Sequence, residues 1–313
     1  MYRDQRIGVV VPAFNEQDLI LDTLRGMPDW VDRVFVIDDA SSDTTPDLIQ
    51  KQRGLDARIR IITHETNRGL GQSLIDGYLA SLDSDVDVTV VMAGDNQMHP
   101  DDLPTILDKL IDETCDYVKG NRLLHRNVSS MPRYRYWGNA VLTILTKFAT
   151  GYYALMDPQC GYTAIRNSAL GNIPIATMTK GYGYNADILC MLNIQGYKVQ
   201  DVRVRPVYDR EKSKIKLWKY IPKTSWILIR LFFRRLWRRY VVLDFHPLVL
   251  FYLYAFLNIV LGILPLLIRF FYLYSVTGEA PKTTLIILVF AIITAFQSIL
   301  FAIWMDMDYN RIK

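Results

Sequence analysis

Asp38 and Asp39 close a short apolar run, Val34–Ile37, and a Ser/Thr/Asp-rich turn follows them. The same pattern ends two other runs. Ile7–Val11 leads into Pro12-Ala13-Phe14-Asn15-Glu16, and Val88–Met92 leads into Ala93-Gly94-Asp95-Asn96-Gln97. Carboxylates suit the amide and hydroxyl donors of a base or a sugar. Asp95 and Gln97 offer oxygen ligands two residues apart, suited to a hard cation that fills its remaining positions with phosphate and water. A cation there would neutralise charge building on a departing diphosphate. Taken singly, Gly-Asp-Asn is ordinary turn material. Three such ends together describe one composite site.

The elements that must position these residues are legible as alternation. Strands are predicted over 7–12, 33–38, 58–62, 88–92 and 116–119, and helices over 16–26, 45–53, 70–82 and 101–113. Strand–helix alternation predicts a mostly parallel sheet covered on both faces. In such open sheets ligands bind beyond the carboxyl ends of the strands, where the acidic tips lie. Further along, a helix is expected near 136–150, a strand near 161–165, a helix near 184–194 and a strand over 199–207.

Half of the 313 residues are hydrophobic, and the excess lies in the C-terminal quarter. Leu248–Ile268 is apolar except for Asn258, and Thr283–Met305 carries no charge. Each is long enough to cross a bilayer core of about 30 Å as a helix. Between Arg203 and Tyr240, thirteen Lys and Arg face only Asp209 and Glu211. Lys223, Arg230, Arg234 and Arg238 share one helical face there, with Trp226, Ile229, Phe233 and Leu236 on others. This predicts a basic amphipathic helix on an anionic membrane surface rather than a nucleic-acid patch. The first twelve residues hold too short an apolar run for a signal peptide. With Arg234, Arg235, Arg238 and Arg239 before the first span and Arg311 and Lys313 after the second, the positive-inside rule places both termini and the head in the cytoplasm. Cys115, Cys160 and Cys190 lack metal-ligand spacing and read as packing residues.

The order PAFNE, DDASSDTT, NRGLGQS and AGDNQ resembles the inverting family-2 glycosyltransferases of GT-A fold, in the branch of dolichyl- and polyprenyl-phosphate sugar synthases. The matching segments run from residue 7 to about 217, and a membrane hairpin also follows the head in that branch. The resemblance implies that Pro12, Ala13, Phe14 and Glu16 line a nucleotide pocket, with Asp38 and Asp39 near base and ribose. Gly69 and Gly71 then permit close backbone approach and a tight helix start. Asp95 and Gln97 would hold Mg²⁺ or Mn²⁺. Related sequences often carry Asp-x-Asp-x-Gln, whereas Ala93 stands at the first position here, so substrate oxygens and water would complete the shell.

The family pattern further places Arg122, Arg135 and Asn139 around an acceptor phosphate, whose oxygens match the planar guanidinium fork. Arg210 and Lys214 match a basic loop that closes over the diphosphate. Asp157, Gly161 and Asp187 also fall at family positions. The expected organisation is a GT-A head over 1–210, a basic juxtamembrane segment over 211–244 and a two-span hairpin over 245–313. The expected reaction moves a hexosyl group from a UDP- or GDP-sugar to polyprenyl or dolichyl phosphate. The competing expectations are another lipid or glycan acceptor, and an inactive scaffold that binds nucleotide sugar. Self-association through the hairpin, by way of Asn258, Gln297 and Ser298, is compatible with the sequence.

Overall fold

A computed structural model describes residues 1–112, 115–123, 133–181, 183–205 and 217–311, with the side chains of 133–139 and 217–221 excepted. The chain divides into two compact units, Met1–Arg235 and Leu236–Lys313.

The first unit is built on a seven-stranded sheet of order β3-β2-β1-β4-β6-β5-β7. The strands are β1 (Ile7–Ala13), β2 (Arg33–Asp38), β3 (Ile59–Thr63), β4 (Val88–Val91), β5 (Tyr117–Asn121), β6 (Thr163–Arg166) and β7 (Val199–Arg203). All pairings are parallel except those of β6, which runs antiparallel to both β4 and β5. The carboxyl ends of the other six strands therefore share one edge. In-register pairing aligns Ala13 with Asp38 and Asp38 with Thr63.

Alternation along β1 explains why two layers form. Val9 and Val11 enter one core with Ile20 and Leu24 of α1 (Ile20–Arg25), beside α2 (Thr45–Arg53). Val10 and, on β2, Phe35 and Ile37 enter the other, against Leu74, Ile75 and Tyr78 of α3 (Leu70–Leu82). Helix α4 (Leu103–Asp112) adds Leu103, Ile106, Leu107 and Leu110 to the first core at helical spacing. Each such fully buried side chain contributes on the order of 2 kcal/mol. Helices α5 (Arg133–Thr150), α6 (Asn167–Leu170), α7 (Tyr184–Gln195) and α8 (Leu217–Trp237) follow. The expected strand at 161–165 is observed at Thr163–Arg166, and the last strand ends at Arg203; 206–207 lie outside the described residues.

The charges on α8 depart from the expected arrangement. Lys223 and Arg230 are exposed, together with Trp226, Ile229, Phe233 and Trp237. Arg234, by contrast, pairs with Asp187 of α7. Arg235 is completely buried, donating to the backbone carbonyls of Phe148 and Ala149. Gly151, at φ +80°, makes room for it, because a Cβ there would lie 2.7 Å from Arg235 Nη1. Arg234, expected on the membrane-facing side of the helix, and its neighbour Arg235 thus hold the first unit together.

In the second unit, α9 (Leu248–Leu257) and α10 (Leu264–Thr277) are joined by a π-helical turn at Asn258–Ile263. Together they make one 30-residue apolar helix, and α11 (Lys282–Arg311) makes another of 30 residues. At 1.5 Å rise per residue each is about 45 Å long, enough to span a bilayer. Their apolar side chains are mostly exposed, as lipid-facing helices require. The helices meet along small residues of α11, including Ala291, Ala295, Ser298 and Ala302. Asn258 is satisfied inside this pair by the carbonyl of Ala291 and the Thr294 hydroxyl. Near the other end, Tyr240 donates to the buried Asp306 at 2.5 Å, and Tyr309 donates to Asp244 at 2.9 Å.

Candidate functional site

The three acidic strand ends come together because β2, β1 and β4 are neighbours in the sheet. The loops after β1 and β2 are stitched to each other. Asn15 N donates to Ser41 Oγ at 3.0 Å, Ser42 N to Asn15 Oδ1 at 2.9 Å, and Glu16 N to Thr45 Oγ1 at 2.9 Å. The loop after β4 joins them through Gly94 N, which donates to Pro12 O at 3.0 Å. Backbone strain marks the same places. Asn15, Ala40 and Asn96, each just past one of these strands, sit at φ +55°, +60° and +54°. Asparagine adopts this region readily, but alanine does so rarely. Held strain of this kind clusters where ligands are gripped. Phe14 is 42% exposed beside these loops, as an apolar wall for a planar ligand would be.

Asp38 and Asp39 are both buried but serve different ends. Asp38 Oδ1 accepts from Ser41 N at 3.2 Å and shapes its own turn. The Asp39 carboxylate accepts from Arg68 N at 2.7 Å, Gly69 N at 2.8 Å and the His64 ring at 2.7 Å. Much of its hydrogen-bonding capacity is therefore committed within the protein, and it acts first as the anchor of the Asn67–Gly71 turn. Gly69 stands there at φ +87°, and Gly71 lies flat on the 179–180 backbone.

Asp95 and Gln97 are half-buried on one turn, with Gln97 N donating to Asp95 Oδ1 at 3.2 Å. Among the described residues no group of three or more His, Cys, Asp or Glu side chains is placed to hold a metal ion. The available donors are the hard oxygens of one carboxylate and one carboxamide. That set fits a cation such as Mg²⁺, which takes one or two protein carboxylates and completes its shell with phosphate and water.

Arg122 leaves the end of β5 and pairs bidentately with Asp157, Nε to Oδ2 at 2.8 Å and Nη2 to Oδ1 at 3.2 Å. Asp157 is buried, so this edge of the fork is structural as well as electrostatic. Asp187 is equally engaged. It accepts from Thr179 N at 2.8 Å and Thr179 Oγ1 at 2.6 Å and pairs with Arg234. It ties α7 to α8 and to the residues against which Gly71 packs. Arg135 and Asn139 lie in the first turns of α5, where side chains are not described, and Arg210 and Lys214 lie outside the described residues.

Arg122→Lys is expected to lower turnover at least about tenfold, because an ammonium cannot replace a bidentate fork. Leaving Asp157 half-paired should also cost about 1–3 kcal/mol of stability. Initial rates and thermal unfolding of the variant read both effects; full activity would remove Arg122 from the site.

Reading the sequence did not single out Lys119 or His64. Lys119 is wholly buried on β5, its Nζ donating to Asn185 Oδ1 at 2.9 Å. Burial pushes its ammonium down to about 8, a shift that the Cys160 thiol and Asp157 oppose and Arg122 reinforces. Between about pH 8 and the ordinary lysine value near 10.5 the unfolded chain holds more protons than the folded one, so stability rises with pH across that window. Below it both states are charged and the burial penalty is fully present. Lys119→Met should flatten the rise, read by thermal unfolding between about pH 7 and 10.5. An unchanged slope would assign the titration to another group. Cys160 lies close by, its thiol pushed up by burial, and all three cysteines are buried thiols outside any disulfide.

With this geometry in place, comparison with known proteins is specific. The model of the family described as "Glycosyl transferase family 2" matches residues 8–173. The undecaprenyl-phosphate mannosyltransferase of Micrococcus luteus is 29% identical over 216 residues, covering 68% of this chain and 87% of the relative. The UDP-N-acetylglucosamine–dolichyl-phosphate N-acetylglucosaminyltransferase of Methanococcus voltae is 25% identical over 219 residues, 66% of this chain and 87% of the relative. Glucosyl-3-phosphoglycerate synthase from Mycobacterium tuberculosis, solved with Mn²⁺ and UDP-glucose, shares the fold. Its TM-score is 0.56 at 20% identity, over 74% of this chain and 79% of that one. The matched segment takes in β1 through β6, with the stitched loops, the Asp39-anchored turn and the Asp95 turn. The chain belongs to glycosyl transferase family 2 and is a glycosyltransferase with a GT-A-type sheet.

Proposed function

We propose that this glycosyltransferase works at a membrane, moving a hexosyl group with inversion from a UDP- or GDP-sugar to polyprenyl or dolichyl phosphate. The observation that carries the reading is the pairing, in one chain, of a family 2 head with two apolar helices of membrane-spanning length. The names of the two relatives, covered over 87% of their own length, support the lipid-phosphate acceptor.

In this reading the loops after β1 and β2 and the Asn67–Gly71 turn receive the nucleotide, and Asp95 and Gln97 would hold a divalent cation. When bound, that cation supplies positive charge beside the leaving diphosphate. The acceptor is a phosphate monoester with a second pKa near about 6, so at neutral pH it is already an oxyanion and needs no general base. Its oxygen attacks the anomeric carbon, the new C–O bond forms as the bond to the diphosphate breaks, and the electron pair leaves with the nucleotide. Arg122, with Arg135 and Asn139, guides the incoming phosphate. Asp157 takes the Nε–Nη2 edge of Arg122 and fixes the plane of the guanidinium that the phosphate would meet. Arg210 and Lys214 would close over the diphosphate, and rate then comes from positioning and charge. The proposed organisation remains a head over 1–210, a basic segment over 211–244 and a hairpin over 245–313, with head and termini cytoplasmic.

Detergent-purified protein, supplied with UDP- or GDP-sugars, polyprenyl phosphate and Mg²⁺ or Mn²⁺, tests the reading by mass spectrometry. A prenyl-phosphate hexose formed only when both substrates are present is the expected result. Nucleotide release without a lipid product would overturn the acceptor, and nucleotide binding without any turnover would point to a scaffold.

A further inference from the structure

We propose that His64 is a positioning residue of the donor pocket, its ring locking the Asn67–Gly71 turn in the conformation that receives the nucleotide. The inference rests on the reading of that turn as part of the nucleotide site. His64 follows β3 directly, its backbone N donating to Asp38 O at 2.9 Å, and its side chain is only 4% exposed. Nδ1 lies 2.7 Å from Asp39 Oδ1, and Nε2 lies 2.9 Å from Asp76 Oδ2 on α3. Each ring nitrogen thus faces a carboxylate oxygen at hydrogen-bond distance, and the ring bridges the end of β2 to α3.

The charged groups paired around the ring come from the end of β2, from the turn and from α3. Asp38 and Asp39 come from the end of β2, Asp76 from α3, and Arg68 from the turn itself, its Nη1 3.7 Å from Asp76. Gln72 Nε2 fills the other Asp76 oxygen at 3.0 Å. The Asp39 carboxylate that the ring holds is the one that accepts from Arg68 N and Gly69 N. Without the ring, two carboxylates would face each other across a buried gap, and Asp39 would have reason to turn away from those amides. The turn would then lose its anchor while the metal-side and acceptor-side residues stayed in place.

His64→Gln tests this, since a carboxamide donates to one carboxylate and presents its oxygen to the other. Adding Asp76→Asn gives that oxygen a donor, so the double variant should regain what the single one loses. Full-length protein in detergent is compared by hydrogen–deuterium exchange over 65–71 without nucleotide, by calorimetric titration with UDP and GDP, and by steady-state kinetics. For His64→Gln, exchange over 65–71 should rise about tenfold and nucleotide affinity fall about tenfold, with KM for the donor rising and kcat held within about threefold. The double variant should return exchange and affinity to within about threefold of the parent. If His64→Gln does not accumulate as folded protein, recovery of folded, nucleotide-binding protein in the double variant carries the same support. Unchanged exchange in His64→Gln, or no recovery in the double variant, overturns the proposal. Raised exchange with unaltered UDP and GDP affinity overturns the link between the turn and the nucleotide. Exchange and titration involve no acceptor, so a missing lipid product bears on the acceptor reading and not on His64.

Discussion

Asp95→Ala is expected to reduce transfer by about 10³-fold while leaving the fold in place. The carboxylate sits half-buried just past β4, on the turn that also carries Gln97. The hydrogen bond it accepts from Gln97 N accounts for about 1 kcal/mol of stability. Its charge is a different matter. A diphosphate leaving from the anomeric carbon gains negative charge in the transition state, and losing one preorganised electrostatic partner typically costs about 10²–10³-fold in rate. Asp95 is also the one carboxylate of the proposed cation pair, so its removal takes the cation's position with it. Asp95→Asn separates the two contributions, keeping an acceptor for Gln97 N while removing the charge. Product formation at saturating Mg²⁺ or Mn²⁺ is the measurement. Turnover near that of the parent in either variant would take Asp95 out of the site.

Gly71→Ala should be the most damaging single-atom change on the donor side. A Cβ there would lie 2.3 Å from Thr179 O, 2.5 Å from Lys180 C and 2.7 Å from Lys180 O. All three are backbone atoms, which cannot rotate aside as a side chain would. Gly71 N also donates to Lys180 O at 2.9 Å, so the chains are joined where the clash would arise. Overpacking of this kind costs about 1–3 kcal/mol or more. In a protein of this size that lowers the unfolding temperature by roughly 3–10 °C. The displaced turn includes Gly69, whose amide Asp39 binds, so UDP or GDP affinity should fall about tenfold as well. Thermal unfolding and calorimetric titration check the two effects. Parent-like values in both would mean that the turn tolerates a shift away from 179–180.

The parts of the molecule legible in the sequence are those that local pattern determines. The short runs Ile7–Val11, Val34–Ile37 and Val88–Met92 can be read because burial on both faces leaves a continuous run and the strand end breaks it. The apolar helices at 248–277 and 282–311 are legible for the same reason of length. Pairings between distant residues are not. Arg122 and Asp157 stand 35 apart in sequence, and Arg234 and Asp187 stand 47 apart. Only the sheet order and the docking of α8 on α7 bring them together. The arginine run before the first span looked uniform, yet Arg234 and Arg235 turn inward while Arg230 and Arg238 stay exposed. Arg235 fits in the space that Gly151 leaves and Arg234 is drawn in by Asp187, neither of which helical periodicity records. His64 carried one usable signal, a lone imidazole directly after a strand end. Its two carboxylate partners lie 25 residues before it and 12 after it, beyond the reach of any local motif.

The stitching of the loops after β1 and β2 bears on how donor preference could be altered. Asn15, Glu16 and Gln17 on one loop share hydrogen bonds with Ser41, Ser42, Asp43, Thr44 and Thr45 on the other. Grafting either loop alone from a relative would leave donors and acceptors mismatched across the seam. The two segments form one exchangeable cassette, and under the proposed assignment of these loops to the nucleotide a change of preference travels most safely as a transplant of both.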